Sequence, residues 1–252
     1  MADNFSGLTA LVTGSSNGIG AEAAVKFAER GAAEVLVQYH NAKDQAAAVC
    51  ERIRAAGAKA EMFGADLSVK FGIEAFLAEL GSRRVDILVN NAGSLVKRTP
   101  FLEFTPELWD QVITLNFNSV FHVTRHVLPQ MVDRGRGFVV NVSSVAARNG
   151  GGIGAIAYAS SKGGLSTMTK GLAKEFAAKG IRVNGVSPGT IDTNFHKQFS
   201  TEQMLSNARG ATPVGRLGDS AETADVILFL CSDGARYVHG QMIEVNGGFL
   251  MV

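Results

Sequence analysis

Short apolar runs alternate with longer stretches of mixed polarity along most of the chain. The runs predict strands at 9–13, 35–39, 60–65, 87–90, 138–142, 182–186 and 242–245. Because the runs lack polar–apolar alternation, we expect parallel strands covered by helices on both faces. The intervening stretches predict helices at 19–30, 43–56, 69–80, 106–132, 158–179 and 221–231. This repeated strand–helix–strand order favours an α/β fold, a doubly wound parallel sheet of about seven strands.

Glycine and proline mark several predicted helix ends. Gly31, Gly57 and Gly180 each follow a helical stretch, where a left-handed C-cap suits glycine. Thr105 precedes a proline and predicts the start of the long helix. We expect one domain, 1–252, interrupted by a mixed Gly, Pro, Ser and Thr segment that forms a flap near 193–220.

Composition excludes several classes of protein. The 24 Lys and Arg residues nearly balance 23 Asp and Glu, which argues against nucleic acid or an anionic membrane as a partner. No apolar run approaches the roughly 20 residues of a bilayer span, and no secretion signal opens the chain, so we expect a cytoplasmic protein. The two cysteines, Cys50 and Cys231, suit neither a disulfide framework nor a metal site, and we expect no metal.

The first strand leads into a turn with three glycines, residues 13–20, at the start of a helix. Glycines let the backbone approach a pyrophosphate, and the helix N-terminus favours its charge. The spacing is G-x-x-x-G-x-G, which differs from the G-x-G-x-x-G of long-chain dehydrogenases. On its own the pattern also suits a purely structural turn.

Tyr158 and Lys162 stand four residues apart in a predicted helix, which puts their side chains on one face. A nearby ammonium favours tyrosinate, so we expect the pKa of Tyr158 to be lowered and proton exchange to be easier. The pair alone could equally be an exposed aromatic beside a solvated lysine.

The landmarks in order give a more specific pattern. They are the 13–20 turn, Asp66, the N-N-A-G run at 90–93, Asn116, Ser144, Tyr158 with Lys162, and the P-G-T-I-D-T run at 188–193. With them, the chain from about residue 8 onward resembles the short-chain dehydrogenase/reductase family. The ending V-N-G-G-F-L-M-V is similar to that of its 3-oxoacyl-acyl-carrier-protein reductase group. The resemblance implies a single-domain Rossmann-type fold.

The resemblance also implies four catalytic residues. Tyr158 would exchange a proton with the substrate oxygen, and Lys162 would bind the nicotinamide ribose and lower the tyrosine pKa. Ser144 would orient the reacting oxygen, with Ser143 as the competing candidate. Asn116 would hold a helix distortion and a water in a proton relay, the alternative being a helix-surface amide.

The same resemblance implies a set of cofactor-binding residues. They are Gly14, Ser16, Asn17, Gly18, Ile19, Gly20, Tyr39, His40, Asn41, Asp66, Leu67, Asn91, Ala92, Gly93, Tyr158, Lys162, Pro188, Gly189, Ile191 and Thr193. Asn90 is also expected against the adenosine, although the N-N-A-G run could instead join the central strands. Asp66 with Leu67 would hold the adenine, and Ile191 with Thr193 the nicotinamide carboxamide.

NADP is favoured over NAD because no acidic side chain ends the second strand to repel a 2′-phosphate. His40 or Lys43 could meet that phosphate, although His40 could equally be an exposed loop residue. Asn17 stands where many NADP-binding relatives carry Arg or Lys, which leaves dual use open.

The predicted function is hydride transfer between NADP(H) or NAD(H) and a carbonyl or secondary alcohol. A 3-oxoacyl thioester is the first candidate substrate, and a sugar-like or other small ketone the second. Loops at 94–104 and 145–156 and the 193–220 flap are expected to line the substrate pocket. A non-catalytic dinucleotide sensor is a third reading, and a metal-dependent alcohol dehydrogenase is disfavoured because no ligand set is present.

Two partners are implied. Arg134, Arg136 and Lys179 could meet an acidic acyl-carrier protein, although Gly135 stands where a carrier-binding arginine is expected. The resemblance also implies a homotetramer, joined through the helices at 106–132 and 158–179 and the apolar tail at 249–252.

Overall fold

The computed structural model describes residues 5–252, in which seven parallel strands form one sheet. The strands are β1 (Thr9–Val12), β2 (Glu34–Tyr39), β3 (Lys59–Gly64), β4 (Ile87–Asn90), β5 (Gly137–Val142), β6 (Ile181–Pro188) and β7 (Met242–Val245). Their order across the sheet is β3-β2-β1-β4-β5-β6-β7. The predicted doubly wound α/β fold is confirmed.

Helices connect the strands on both faces of the sheet. They are α1 (Gly18–Glu29), α2 (Lys43–Ala55), α3 (Lys70–Leu80), α4 (Pro106–Ile113), α5 (Ser119–Asp133), α6 (Ala146–Asn149), α7 (Ile156–Phe176), α8 (Asn194–Phe199), α9 (Glu202–Ala211) and α10 (Ser220–Cys231). The predicted helix over 106–132 is divided, because a π-helical turn, Thr114–Asn118, separates α4 from α5. The predicted flap contains two short helices, α8 and α9.

The predicted helix caps are confirmed. Gly31, Gly57 and Gly180 all have positive φ angles. At Gly180 a side chain is also excluded by space, because a Cβ would lie 2.0 Å from the Gly135 carbonyl oxygen. The Thr105 hydroxyl accepts a hydrogen bond from the backbone N–H of Leu108 at 3.2 Å, which begins α4.

The core consists of two apolar layers, one on each face of the sheet. Successive side chains of β1 alternate between them, so that Ala10 and Val12 pack under α1, α2 and α10, whereas Leu11 packs under α3, α5 and α7. Both cysteines are free and buried. Within the described residues, none of the helices has the length and apolarity needed to cross a bilayer.

The sheet reverses its winding between β1 and β4. The chain passes from β1 outward to β2 and β3, and then returns to β4 on the other side of β1. Ligands of open α/β sheets bind in the crevice at the carboxyl ends of the strands beside such a switch point. The glycine turn after β1 and the N-N-A-G run after β4 both lie there.

Candidate active site

A cavity of about 840 Å³ opens at this edge of the sheet. Nineteen of the predicted site residues line it: Gly14, Ser16, Asn17, Gly18, Ile19, His40, Asn41, Asp66, Leu67, Asn91, Ala92, Gly93, Ser144, Tyr158, Lys162, Pro188, Gly189, Ile191 and Thr193. Gly20, Tyr39 and Asn116 do not line it. The predicted catalytic and cofactor-binding residues therefore meet in one cleft, with three of them behind its wall.

The glycine turn is closely packed at two of its glycines. Gly14 has a φ of +62°, and a Cβ there would come within 2.7 Å of the Ala92 Cα. A Cβ on Gly20 would lie 2.4 Å from the Asn91 amide nitrogen. Gly20 therefore allows the turn to pack against the segment after β4 and does not itself face the cavity.

Sequence reasoning missed Gln38, which holds this turn. Its Oε1 accepts the Gly14 N–H at 3.0 Å, and its Nε2 donates to the carbonyl oxygens of Tyr39 and Ala65 at 2.7 and 3.0 Å. Gln38 also lines the cavity. Its position near the end of β2 was the available indication, because side chains there face the first turn of a doubly wound sheet.

The start of α1 suits a pyrophosphate. Asn17 occupies the N-cap position, but its side chain makes no capping hydrogen bond. Backbone N–H groups at an uncapped helix start can donate to an anion, and the helix dipole favours negative charge there. Ser16, Asn17, Gly18 and Ile19 all line the cavity at this point.

At the far end of the cleft His40 and Asp66 face one another. His40 Nε2 lies 3.7 Å from Asp66 Oδ2, and the histidine side chain is 61% exposed. Lys43 does not line the cavity. Tyr39 does not line it either, because its ring turns to the opposite side of β2 and covers Gly64. Of the candidates for a 2′-phosphate contact, only His40 faces the cleft.

The N-N-A-G run joins strands as well as lining the cleft. The Thr13 hydroxyl oxygen accepts the backbone N–H groups of Asn91 and Ala92 at 3.0 and 3.1 Å. The Asn91 amide donates to the carbonyl oxygens of Thr13 and Gly14. The alternative prediction, that this run joins the central strands, therefore holds for its side chains, while its backbone borders the cavity.

Asn90 is buried behind the cleft, so the expectation that it packs against the adenosine is wrong. Its Nδ2 donates to Thr124 Oγ1 at 3.0 Å and to Asn141 Oδ1 at 2.9 Å. Asn141 Nδ2 in turn donates to Thr169 Oγ1 at 2.9 Å. These hydrogen bonds tie β4 and β5 to α5 and α7, and α7 carries the predicted tyrosine and lysine.

The two adjacent serines after β5 are in different environments. Ser143 is buried, and its hydroxyl donates to the Lys162 carbonyl oxygen and contacts the Ser166 hydroxyl at 3.0 Å. Both serines line the cavity, but it is the Ser144 side chain that shares a hydrogen bond with Tyr158. The geometry thus favours Ser144 over Ser143 as the serine that can contact a ligand.

Close packing brings together Lys162, Gly93 and Asn116. The Lys162 ammonium donates to the Val142 carbonyl oxygen at 2.8 Å. A Cβ on Gly93 would lie 2.8 Å from Asn116 Oδ1 and 3.0 Å from Lys162 Nζ. Asn116 lies in the π-helical turn, where its amide donates to the carbonyl oxygens of Ser94 and Val112. The expected helix distortion is present at Asn116.

The expected lowering of the tyrosine pKa is wrong for the protein's own groups. Burial raises the pKa of Tyr158 to about 12, and the hydrogen bond with Ser144 only partly opposes this. Burial also lowers the pKa of Lys162 to about 8, which weakens its hold on a positive charge. Desolvation outweighs the neighbouring ammonium at this site.

The substrate half of the cavity was predicted by segment but not by residue. Residues from 94–98, 145–155 and 194–199 line it, as expected of those loops, whereas 200–220 does not. Phe195 packs on Tyr158 with ring centroids 5.7 Å apart, and Arg98 and His196 lie nearby. The tail residue Phe249 also lines the cavity.

The predicted carrier-binding residues lie away from this cavity. Arg134 is engaged within the protein, with its guanidinium donating to the carbonyl of Val85 and lying 3.4 Å from Asp86. Arg136 and Lys179 pack over the rings of Phe138 and Phe176, respectively. Within residues 5–252 no group of His, Cys, Asp and Glu could hold a metal ion.

Comparisons with known proteins agree with this geometry. Residues 14–250 match the family model described as enoyl-(acyl carrier protein) reductase. A 3-oxoacyl-[acyl-carrier-protein] reductase of Staphylococcus epidermidis is 38% identical, over 96% of this chain and 99% of that protein.

Two solved structures share the fold over nearly their whole length. A gluconate 5-dehydrogenase of Burkholderia cenocepacia, in complex with NADP and tartrate, has a TM-score of 0.87 at 32% identity, covering 98% of this chain and 96% of that one. A 3-oxoacyl-[acyl-carrier protein] reductase of Brucella melitensis with bound NAD has a TM-score of 0.88 at 33% identity, covering 98% and 92%. The chain therefore belongs to the short-chain dehydrogenase/reductase family and is an oxidoreductase acting on CH–OH or C=O groups.

Proposed function

We propose that this protein reduces a ketone to a secondary alcohol with NADPH or NADH. The single observation that carries the proposal is the convergence of Ser144, Tyr158 and Lys162 on the cleft that begins at the glycine turn. A dinucleotide sensor would not need a hydroxyl, a phenol and an ammonium together in its site.

The cofactor is held along the cleft in this proposal. The N–H groups at the start of α1 bind the pyrophosphate, Asp66 and Leu67 border the adenine, and Ile191 with Thr193 hold the carboxamide. Among the described residues, His40 is the one candidate for a 2′-phosphate contact that lines the cleft, which supports NADP, and the end of β2 carries no acidic side chain to repel such a phosphate. The relatives with bound NADP and bound NAD support either cofactor for this fold.

The protein's own groups then carry the proton. When bound, the nicotinamide supplies the hydride that reaches the carbonyl carbon. Ser144 orients the carbonyl oxygen, and Tyr158 donates its phenolic proton to that oxygen. A tyrosine pKa raised to about 12 keeps this proton in place at neutral pH. Lys162 binds the nicotinamide ribose. It also takes part in a proton relay that includes a water held by Asn116.

Two substrate classes are candidates. The curated relative supports a 3-oxoacyl thioester, and carriage of that substrate by an acyl-carrier protein follows from the same relative's name. The gluconate 5-dehydrogenase supports the second candidate, a ketone of a small sugar acid, because its complex contains tartrate, a small polyhydroxy dicarboxylate. A homotetramer and a cytoplasmic location stay predictions.

The test is the loss of nicotinamide absorbance with acetoacetyl thioesters, oxo sugar acids and simple ketones, each with NADPH and NADH. Tyr158→Phe is expected to abolish turnover while cofactor still binds. Tyr237→Phe is the matched control, because Tyr237 is fully exposed and lies outside the cavity. Full activity in Tyr158→Phe would refute the mechanism, and cofactor binding without turnover of any ketone would favour the sensor.

A further inference from the structure

The substrate half of the cleft contains a cation that the proposed mechanism does not use. Of the described residues that line the cavity, the ionisable ones are His40, Asp66, Tyr158, Lys162, Arg98 and His196. His40 and Asp66 face each other at the adenosine end, and Lys162 lies beside Tyr158. Arg98 and His196 remain for the substrate half, and no carboxylate accompanies them in the cavity wall.

Arg98 lines the same cavity as Tyr158 and is held there by two backbone carbonyls. Its Nη1 donates to the Ile153 carbonyl oxygen at 2.7 Å, and its Nε donates to the Phe199 carbonyl oxygen at 3.0 Å. Ile153 lies just before α7, and the Phe199 ring packs on Phe195, which itself packs on Tyr158. Arg98 is therefore bonded both to the segment before α7 and to the end of α8, whose aromatic rings reach Tyr158.

Part of the guanidinium has no partner within the protein. The two carbonyl bonds fix its orientation, and among residues 5–252 Nη2 has no hydrogen-bond acceptor and the group forms no ion pair. Partial burial lowers the Arg98 pKa, and no carboxylate opposes that effect. A partly desolvated cation held rigidly with free donors is a strong receptor for a carboxylate, which guanidinium binds through charge-assisted hydrogen bonds.

His196 does not replace Arg98 as the cation. Burial lowers the pKa of His196, and the charge of Arg98 lowers it further, while Asp192 opposes both. Its Nδ1 contacts the Ser200 hydroxyl at 2.9 Å. The lowered pKa makes His196 a weaker candidate than Arg98 for a charge in this half of the cavity, although its ring can offer a hydrogen bond.

We propose that Arg98 is a specificity-determining residue that binds a carboxylate of the substrate, so that the ketone reduced is a keto acid. The inference rests on the proposed ketoreductase function and selects between its two candidates. The acyl chain next to the ketone of a 3-oxoacyl thioester carries no charge, so it would leave Arg98 without an anion. An oxo sugar acid supplies one.

The experiment compares oxo-hexonates with their methyl esters, which have the same ketone but no negative charge. The wild-type protein is expected to prefer the acids. Arg98→Met is expected to raise KM for the acids about 10- to 100-fold, the range for loss of a charge-assisted hydrogen bond, and to leave the esters nearly unchanged. Lys97→Met removes the neighbouring exposed cation outside the cavity and is expected to change neither.

Malonate provides a second readout. It is expected to inhibit ester reduction competitively in the wild-type protein and much more weakly in Arg98→Met. Equal losses on acids and esters would overturn the proposal, because they would show that Arg98 only braces the loop against α8. Preference for acetoacetyl thioesters over the acids would also overturn it while leaving the ketoreductase function intact, whereas no turnover of any ketone would refute the proposed function itself.

Discussion

Replacing Thr169 by valine is expected to destabilise the protein, whereas the same replacement at Thr223 is not. Both side chains are completely buried on helices. The Thr169 hydroxyl accepts from Asn141 Nδ2 and donates to the Leu165 carbonyl oxygen, both at 2.9 Å. The Thr223 hydroxyl has no hydrogen-bond partner. The two variants therefore compare the same threonine-to-valine change at a hydroxyl that has hydrogen-bond partners and at one that has none.

The magnitude follows from what each change leaves behind. Thr169→Val orphans an amide N–H of Asn141 in the core, which costs about 1–3 kcal/mol. For a chain of this size that corresponds to a fall in Tm of roughly 2–12 °C. Thr223→Val removes a desolvated, unbonded hydroxyl and is expected to be neutral or to stabilise by up to about 1 kcal/mol. Thermal and urea unfolding, followed by circular dichroism at one protein concentration, measure both. Equal changes in the two variants would refute the reasoning.

Three other predictions concern separate parts of the molecule. Burial raises the pKa of the Cys231 thiol to about 12, and the pKa of Cys50 is also raised, so a thiol reagent at pH 7 should label neither until the protein is unfolded in urea. Gly180→Ala should lower the free energy of unfolding by about 1–3 kcal/mol more than Gly57→Ala, since both positions have positive φ but only at Gly180 would the new methyl group overlap a backbone atom; unfolding in urea compares them. The hydrogen bond from Arg216 lowers the pKa of Glu222 from 4.5 to about 2, so the ionised carboxylate stabilises the fold above about pH 4.5 and this stabilisation is lost toward pH 2. The difference in unfolding free energy between the wild-type protein and Glu222→Gln should therefore shrink as the pH falls through that window. A difference that stays constant would contradict the assignment.

Much of the fold follows from local pattern. The seven strands are predicted within two residues at each end because each is a short apolar run bounded by turns, and buried parallel strands have no other common pattern. The π-helical turn at Thr114–Asn118 has no such pattern, since one extra residue hardly changes the helical spacing of apolar positions. Asn116, an amide inside a long helix, was its only trace.

Site residues on helices and strands can be predicted from the sequence, whereas those on loops cannot. Tyr158 and Lys162 share a face because four residues separate them on a helix. The resemblance implied Tyr39 as a cofactor-binding residue, but adjacent residues of a strand point to opposite faces, and Gln38 lines the cleft instead. Arg98 could not be predicted, because its position depends on how the 94–100 loop meets α8 and the start of α7.

The bonding of Gln38 bears on how preference between the two dinucleotides could be altered. The Gln38 amide holds the glycine turn to the end of β2 and to the segment after β3, whereas His40 makes no hydrogen bond to that framework and its side chain is mostly exposed. The residues that would discriminate at the 2′ position can therefore be exchanged without loosening the turn that we propose binds the pyrophosphate. Retuning toward NAD should need only an acidic side chain in the loop at 40–42, with Gln38 left in place.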